Sequence, residues 1–431
     1  MKTPAGPIQL NDPKIINGWA LFDWANSAFA LVITVAIFPA YYLHVTPDTV
    51  NLFGLEVSNS ALYAFAISAA YLALALVSPL LSGIADYGGR KKFFMKFFTA
   101  IGSIGCISLF FYRESVPVSI GTIGFMLGII GFAGALVFYN AYLPVIASED
   151  QYDNVSAKGF AYGYVGSVLL LIFNLIIITF PTVFGLSEDG DLSVRLAFLM
   201  VGLWWIGFAQ IPFRRLPADD RSKNEPGLIA KGYNELKKVF RHAAKQPNLL
   251  RFLMAFFCYS AGVQTVLFMA STYAEVQLKF ETQDLIILVL ILQVVAIGGA
   301  YLFAWISGLK GNKYSIIAML IIWTAICFAA YFLTNKMQFY CLGGAVGLVM
   351  GGIQSLSRST YSKLLPENTP DTASYFSFYD VLEKMSIILG TFIFGFFQVL
   401  TGSIKYSVLS LGVFFVLSIL ILMGVRIKHN A

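Results

Sequence analysis

Charged side chains interrupt long apolar stretches at three places, and these are the residues able to do chemistry. Asp380, Glu383 and Lys384 lie about ten residues into an apolar run that starts near Ala373, roughly 15 Å along a helix and hence near the middle of a bilayer. Asp380 and Lys384 are four apart and can pair on one helix face, leaving Glu383 on an adjacent face within a turn of Tyr379. A carboxylate so placed can carry a proton or bind a cationic solute group; it can also stay protonated, or paired to a base, throughout. Asp23 is followed at i+3 and i+4 by Asn26 and Ser27, a polar face on an apolar helix. That face suits a solute or cation, and equally an Asp that hydrogen-bonds neighbouring helices. Arg358 follows Gln354 by one turn, at a depth comparable to Asp23 and to Asn140 in another apolar run. Its guanidinium either closes a gate with the Asp23 carboxylate or snorkels to the interface as an anchor. Among uncharged groups, Tyr139, Asn140, Tyr162, Asn174, Gln264 and Gln293 can each bind a zwitterionic or hydroxylated solute, or serve as glue between helices.

The elements that hold these groups must be membrane helices. Of 431 residues, 58% are hydrophobic and 12% charged, with a mean hydropathy of +0.74, where a soluble domain is about a quarter charged. An ordinary soluble enzyme is excluded. Apolar runs bounded by Gly, Pro and charge clusters predict spans at 18–43, 60–84, 93–112, 117–146, 157–181 and 192–213, then at 249–276, 283–306, 314–334, 337–361, 373–400 and 404–425. With the N terminus inside, inner segments hold 23 of the 29 Lys and Arg, outer segments 5, and Lys384 lies within a span. This asymmetry predicts both termini on the cytoplasmic side. The net charge of +6 is accordingly read as topology and not as affinity for nucleic acid.

The expected fold is an all-α membrane protein of twelve helices in two pseudo-symmetric six-helix bundles, 1–213 and 249–431, joined by a polar cytoplasmic linker, 214–248. The later linker carries Ile229, Tyr233, Leu236, Phe240 and Ala243 at helical spacing opposite Lys231, Lys237, Lys238, Arg241 and Lys245. Such a helix lies on an anionic membrane surface or is a solvated connector. An internal repeat supports the two halves: Gly-Arg-Lys at 89–91 and Gly-Asn-Lys at 311–313 follow the second and eighth spans at an offset of 222 residues.

Cys106, Cys258, Cys327 and Cys341 stand singly in apolar stretches and are expected to be buried packing residues, with no metal-site spacing. The first seventeen residues lack the order of a cleaved signal peptide, so the first apolar segment is expected to remain in the mature chain. The histidines, His44, His242 and His429, fall in loops or tails, which leaves carboxylates as the proton carriers. No phosphate-binding Gly-rich loop, metal-ligand spacing or nucleophile with a histidine partner is visible in the spans, so neither a cofactor nor enzymatic activity is expected.

Gly83, Asp86, Gly89, Arg90, Lys91 and Lys92 resemble the loop between the second and third helices of the major facilitator superfamily. Three further segments narrow that likeness: Gly18–Ala30, which contains Asp-Trp-Ala-Asn-Ser at 23–27; Tyr139–Gly166; and Gly351–Pro366 leading into Phe376–Gly390. They are similar to the branch that includes the fungal vacuolar amino-acid effluxers linked to autophagy and their bacterial relatives. The resemblance covers nearly the whole chain. It implies a monomeric secondary transporter working by alternating access, with Asp86 and Arg90 holding or releasing a conformational latch. By resemblance the solute is an amino acid or short peptide, with protons as a candidate coupling ion. Two alternatives stand beside it: a lipid or amphiphile transporter, for which 39 Phe are the motive, and a non-transporting sensor or scaffold. The one Asn-x-Ser sequon, Asn154–Ser156, falls in an expected inner loop, which favours a bacterial inner membrane.

Overall fold

The computed structural model describes residues 9–52, 54–187, 190–219 and 228–427. Lys2, Pro4, Pro7, Arg221, Lys223, Pro226, Lys428 and His429 lie outside the described residues. Twelve helices among them are long and apolar enough to cross a membrane, and each meets one of the expected spans.

The first span combines α1 (Pro13–Ala28), a π-helical stretch (Phe29–Ile37) and α2 (Phe38–Val45). Asp12 caps α1 by accepting from the Lys14 N–H at 2.8 Å, with Pro13 at the first helical position. The widening to π geometry runs up to Pro39, which has no N–H to give Val35; the β-branched run Val32, Ile33, Thr34, Val35 precedes it. Two short antiparallel strands, β1 (Thr49–Leu52) and β2 (Leu55–Ser58), pair with Val50 opposite Val57. Ser58 then caps α3 (Asn59–Tyr87). After it come α4 (Lys91–Leu109), α5 (Val118–Asn140), the single turn α6 (Leu143–Ile146), α7 (Tyr152–Thr179) and α8 (Leu192–Arg215). The amphipathic α9 (Leu228–Ala244) leads into α10 (Pro247–Leu278), α11 (Thr282–Lys310), α12 (Asn312–Tyr331), α13 (Lys336–Leu364), α14 (Thr372–Thr401) and α15 (Ile404–Met423).

Contacts group the chain into two compact units whose borders differ from the sequence-based division. Unit 1 comprises 1–140 and 162–233; unit 2 comprises 141–161 and 234–431. Residues up to 233 stay with unit 1 because α9 docks on α3 there: a Cβ on Gly83 would lie 2.3 Å from the Gly232 carbonyl oxygen. Only two glycines let the backbones approach so closely. Lys231 also sits over the Tyr87 ring, 5.3 Å from its centroid. Residues 141–161 join unit 2 because side chains of α11, α12 and α13 bind Asp153 and Ser156. Further along α9, Val239 is buried and Phe240 meets Phe378 of α14 at 5.7 Å. The linker helix is thus packed on protein at both Gly232 and Val239, which neither a free surface helix nor a solvated connector would be.

Candidate functional site: buried polar clusters within membrane helices

In unit 1, α1 and α5 build a cluster around Asp23, which is 4% exposed. Tyr139 donates its hydroxyl to Asp23 Oδ2 at 3.0 Å, and Ser27 donates to Oδ1 at 3.4 Å. Trp19 fixes the tyrosine by stacking on it at 4.4 Å and donating Nε1–H to its carbonyl at 2.9 Å. Asn26 shares the polar face, yet neither end of its fully buried amide has a hydrogen-bond partner among the described residues. Asn140 ends α5 half-buried.

The motif at 83–92 lies in the same unit. Gly89 adopts φ +61°, the left-handed value that lets the chain turn from α3 into α4. Lys91 Nζ lies 3.2 Å from Asp86 Oδ1, whose side chain is fully buried. Lys92 donates Nζ–H to the Leu216 carbonyl at the end of α8. Sequence reasoning missed Asp219, which accepts the Lys92 and Phe93 backbone N–H groups at 2.8 and 2.9 Å and so closes the first turn of α4. Burial pushes the Asp219 carboxyl above the usual range, against the pull of those two N–H groups. Its only signal in the sequence is an acidic pair after a span, which many loops share.

In unit 2, Lys384 Nζ lies 2.8 Å from Asp380 Oδ1, the i,i+4 contact its spacing suggests. Glu383 is not left aside as expected: its Oε2 lies 3.4 Å from the same Nζ, and its Oε1 accepts from Gln264 Nε2 of α10 at 3.0 Å. Tyr379 instead stacks on Phe256 at 4.0 Å and leans on Tyr361 at 5.0 Å. Beside them Tyr259 and Ser357 share a hydrogen bond at 2.7 Å.

Arg358 of α13 does not snorkel. It is 2% exposed, donates Nε–H to Ser156 Oγ at 2.9 Å and Nη2–H to the Ser156 carbonyl at 2.8 Å, and lies over the Phe160 ring at 4.2 Å. Gln354, one turn earlier, is half-buried. Nearby, Asp153 collects three donors that the sequence reading passed over: Ser307 at 2.9 Å, Asn312 at 2.7 Å and Lys363 at 2.8 Å. Asp153, Ser156 and Phe160 stand at i, i+3 and i+7, one stripe of α7 turned to α11, α12 and α13. Of the cysteines, Cys106 and Cys327 are buried, Cys258 is half-buried and Cys341 is exposed, so packing accounts for the first pair and not for Cys341. A separate apolar cavity, lined among others by Val266, Tyr273, Leu288, Cys327 and Phe394, presents almost no polar atoms.

Residues 11–431 match the family model described as vacuole effluxer Atg22 like. The chain belongs to this Atg22-like family. It is 30% identical to an uncharacterised MFS-type transporter, YxiO, of Bacillus subtilis (strain 168), over 94% of this chain and 93% of that protein. It is 27% identical to autophagy-related protein 22 of Kluyveromyces lactis, over 87% and 81%. Its fold is that of the major facilitator superfamily: FucP in the outward conformation superposes with a TM-score of 0.72 at 14% identity, covering 95% of this chain and 99% of that one. The human organic anion transporter MFSD10 does so with 0.72 at 11%, covering 96% and 100%. This member of the Atg22-like family is an integral membrane protein and a secondary transporter of the superfamily.

Proposed function

We propose that this Atg22-like protein moves a small zwitterionic solute, an amino acid or short peptide, by alternating access in a bacterial inner membrane with both termini cytoplasmic, and that protons drive it. The observation that carries the reading is the group Asp380, Glu383 and Lys384 with Gln264: charged side chains in a membrane helix are costly, and those that persist serve a pathway or a relay. Both signs of charge stand within one and a half turns, which matches a solute bearing an ammonium and a carboxylate. Asp23 with Tyr139 and Asn26 is a second polar group, within unit 1, and the description of the family as vacuole effluxers agrees with efflux.

The amphiphile reading draws on the apolar cavity of unit 2, where nothing would orient a polar solute. Thermal unfolding of the purified protein with amino acids, short peptides, sugars and lysolipids separates the two, because a ligand of the folded state raises the transition temperature. A rise with amino acids or peptides that is lost in Asp23→Asn and Glu383→Gln supports the proposal. A rise with lysolipids alone replaces it with the amphiphile reading.

A further inference from the structure

Asp380 gives one oxygen to Lys384 and buries the other. Oδ2 has no hydrogen-bond partner among the described residues and is closed to solvent, and the residue as a whole is 6% exposed. Glu383 differs, with a side chain 27% exposed and both oxygens engaged, one by Gln264 and one by Lys384. Two carboxylates therefore face one ammonium. Few other groups face them. The neighbouring α10 brings Cys258, Tyr259 and the neutral Gln264; α13 brings Arg358 and Tyr361; α9 brings Lys238, at Asp371, two turns before Asp380; and α15 carries no titratable side chain after Tyr406. Arg358 is turned to Ser156 and Phe160, Tyr259 to Ser357, and the Tyr361 hydroxyl donates to the Tyr375 carbonyl.

A carboxylate oxygen buried without a partner carries the full cost of its lost hydration. No solute ammonium fits against an atom that a water-sized group cannot reach, whereas a proton on Oδ1 removes the charge that Oδ2 shares. We propose that Asp380, and not Glu383, holds the coupling proton, with Glu383 as its port and Lys384 as its relay. This rests on the proton-coupled reading above. Glu383, the exposed carboxylate, first forms an O–H bond with a proton from water. That bond then breaks as the proton passes to Lys384 Nζ, while a Lys384 N–H bond breaks and an O–H bond forms at Asp380 Oδ1. Lys384 stays an ammonium, now paired with ionised Glu383. Asp380 is left neutral, so its buried Oδ2 is a carbonyl oxygen that needs a partner less. The cluster goes from one net negative charge to none when the proton enters and stays neutral during the relay.

The test needs no solute, because the proton is the probe. Infrared difference spectra between high and low pH, recorded on the full chain in lipid bilayers, report the carbonyl stretch of a protonated carboxyl. A band that grows as pH falls, exchanges slowly in D2O, vanishes in Asp380→Asn and survives in Glu383→Gln is expected. Asp380→Glu, which should move the band without removing it, serves if Asp380→Asn does not fold. A band lost in Glu383→Gln but kept in Asp380→Asn would overturn the inference and leave proton coupling intact. Absence of any titrating carboxyl band in the unaltered protein would overturn both.

Discussion

Removing the Lys363 ammonium should weaken the hold that α11, α12 and α13 have on the start of α7. Asp153 is buried with a side chain 8% exposed, and Lys363 Nζ lies 2.8 Å from its Oδ2 while also donating to Asn312 Oδ1 at 2.8 Å. Breaking a buried pair from one side costs about 3–5 kcal/mol, because the surviving charge is stranded. Ser307 and Asn312 continue to donate to Asp153 in Lys363→Met, which puts the loss at the lower end, about 3 kcal/mol. In Asp153→Asn the ammonium keeps the Asn312 oxygen, and about 2 kcal/mol is expected. The double variant strands neither charge, so its loss should be about 3 kcal/mol instead of the additive 5, a coupling of about 2 kcal/mol. Reversible denaturant unfolding in detergent micelles, followed by tryptophan emission, measures all four corners of the cycle. Additivity within about 0.5 kcal/mol would refute the reasoning, since it would mean that the two groups do not sense each other.

Gly83→Val should push α9 off α3, because its Cβ alone would sit 2.3 Å from a backbone oxygen that cannot turn away. A loss of about 1–3 kcal/mol is expected, read in the same unfolding assay, and Gly232→Val should reproduce it. For Asp219, burial holds the folded carboxyl above its unfolded value, so the folded protein binds that proton more tightly. Its contribution is greatest below the unfolded value and is lost as pH rises through the folded one. Asp219→Asn should remove that decline in the unfolding temperature between acidic and neutral pH, and an unchanged pH profile would contradict the assignment.

The span pattern was legible because twenty apolar residues have few other uses, and because one-sided Lys and Arg are independent of hydropathy. The Asp380–Lys384 contact was legible for a local reason: i,i+4 spacing on a helix brings the two groups together whatever surrounds them. What escaped depends on partners distant in the chain. Asp153 meets Lys363 across 210 residues and Asp219 meets Lys92 across 127, and neither separation has a period. The first span read as one continuous helix because hydropathy does not sense the change to π geometry before Pro39. For Arg358 the sequence offered a gate with Asp23 or a snorkelling anchor, and the hold that Ser156 has on it through its hydroxyl and carbonyl was in neither reading, because Ser156 looked like a loop serine.

The short internal repeat carries more structural meaning than its three matched residues suggest. At an offset of 222, Gly89 corresponds to Gly311, and both take positive φ, +61° and +84°. Each turns the chain between the second and third long helices of its half, where a side chain at that backbone angle would be strained. Lys92, one residue past the Lys91 that corresponds to Lys313, donates to Leu216 at the end of α8, and Lys313 donates to Met423 at the end of α15 at 2.7 Å. In both halves an ammonium just past the turn satisfies a free carbonyl of the sixth helix and complements its negative end. The position after each glycine differs. Arg90 stands in one half and Asn312 in the other, and Asn312 donates to Asp153 at 2.7 Å and to Thr360 at 2.9 Å. Turn and cap serve the fold of each half in the same way, whereas the residue after the glycine differs, and in the second half it binds Asp153 and Thr360.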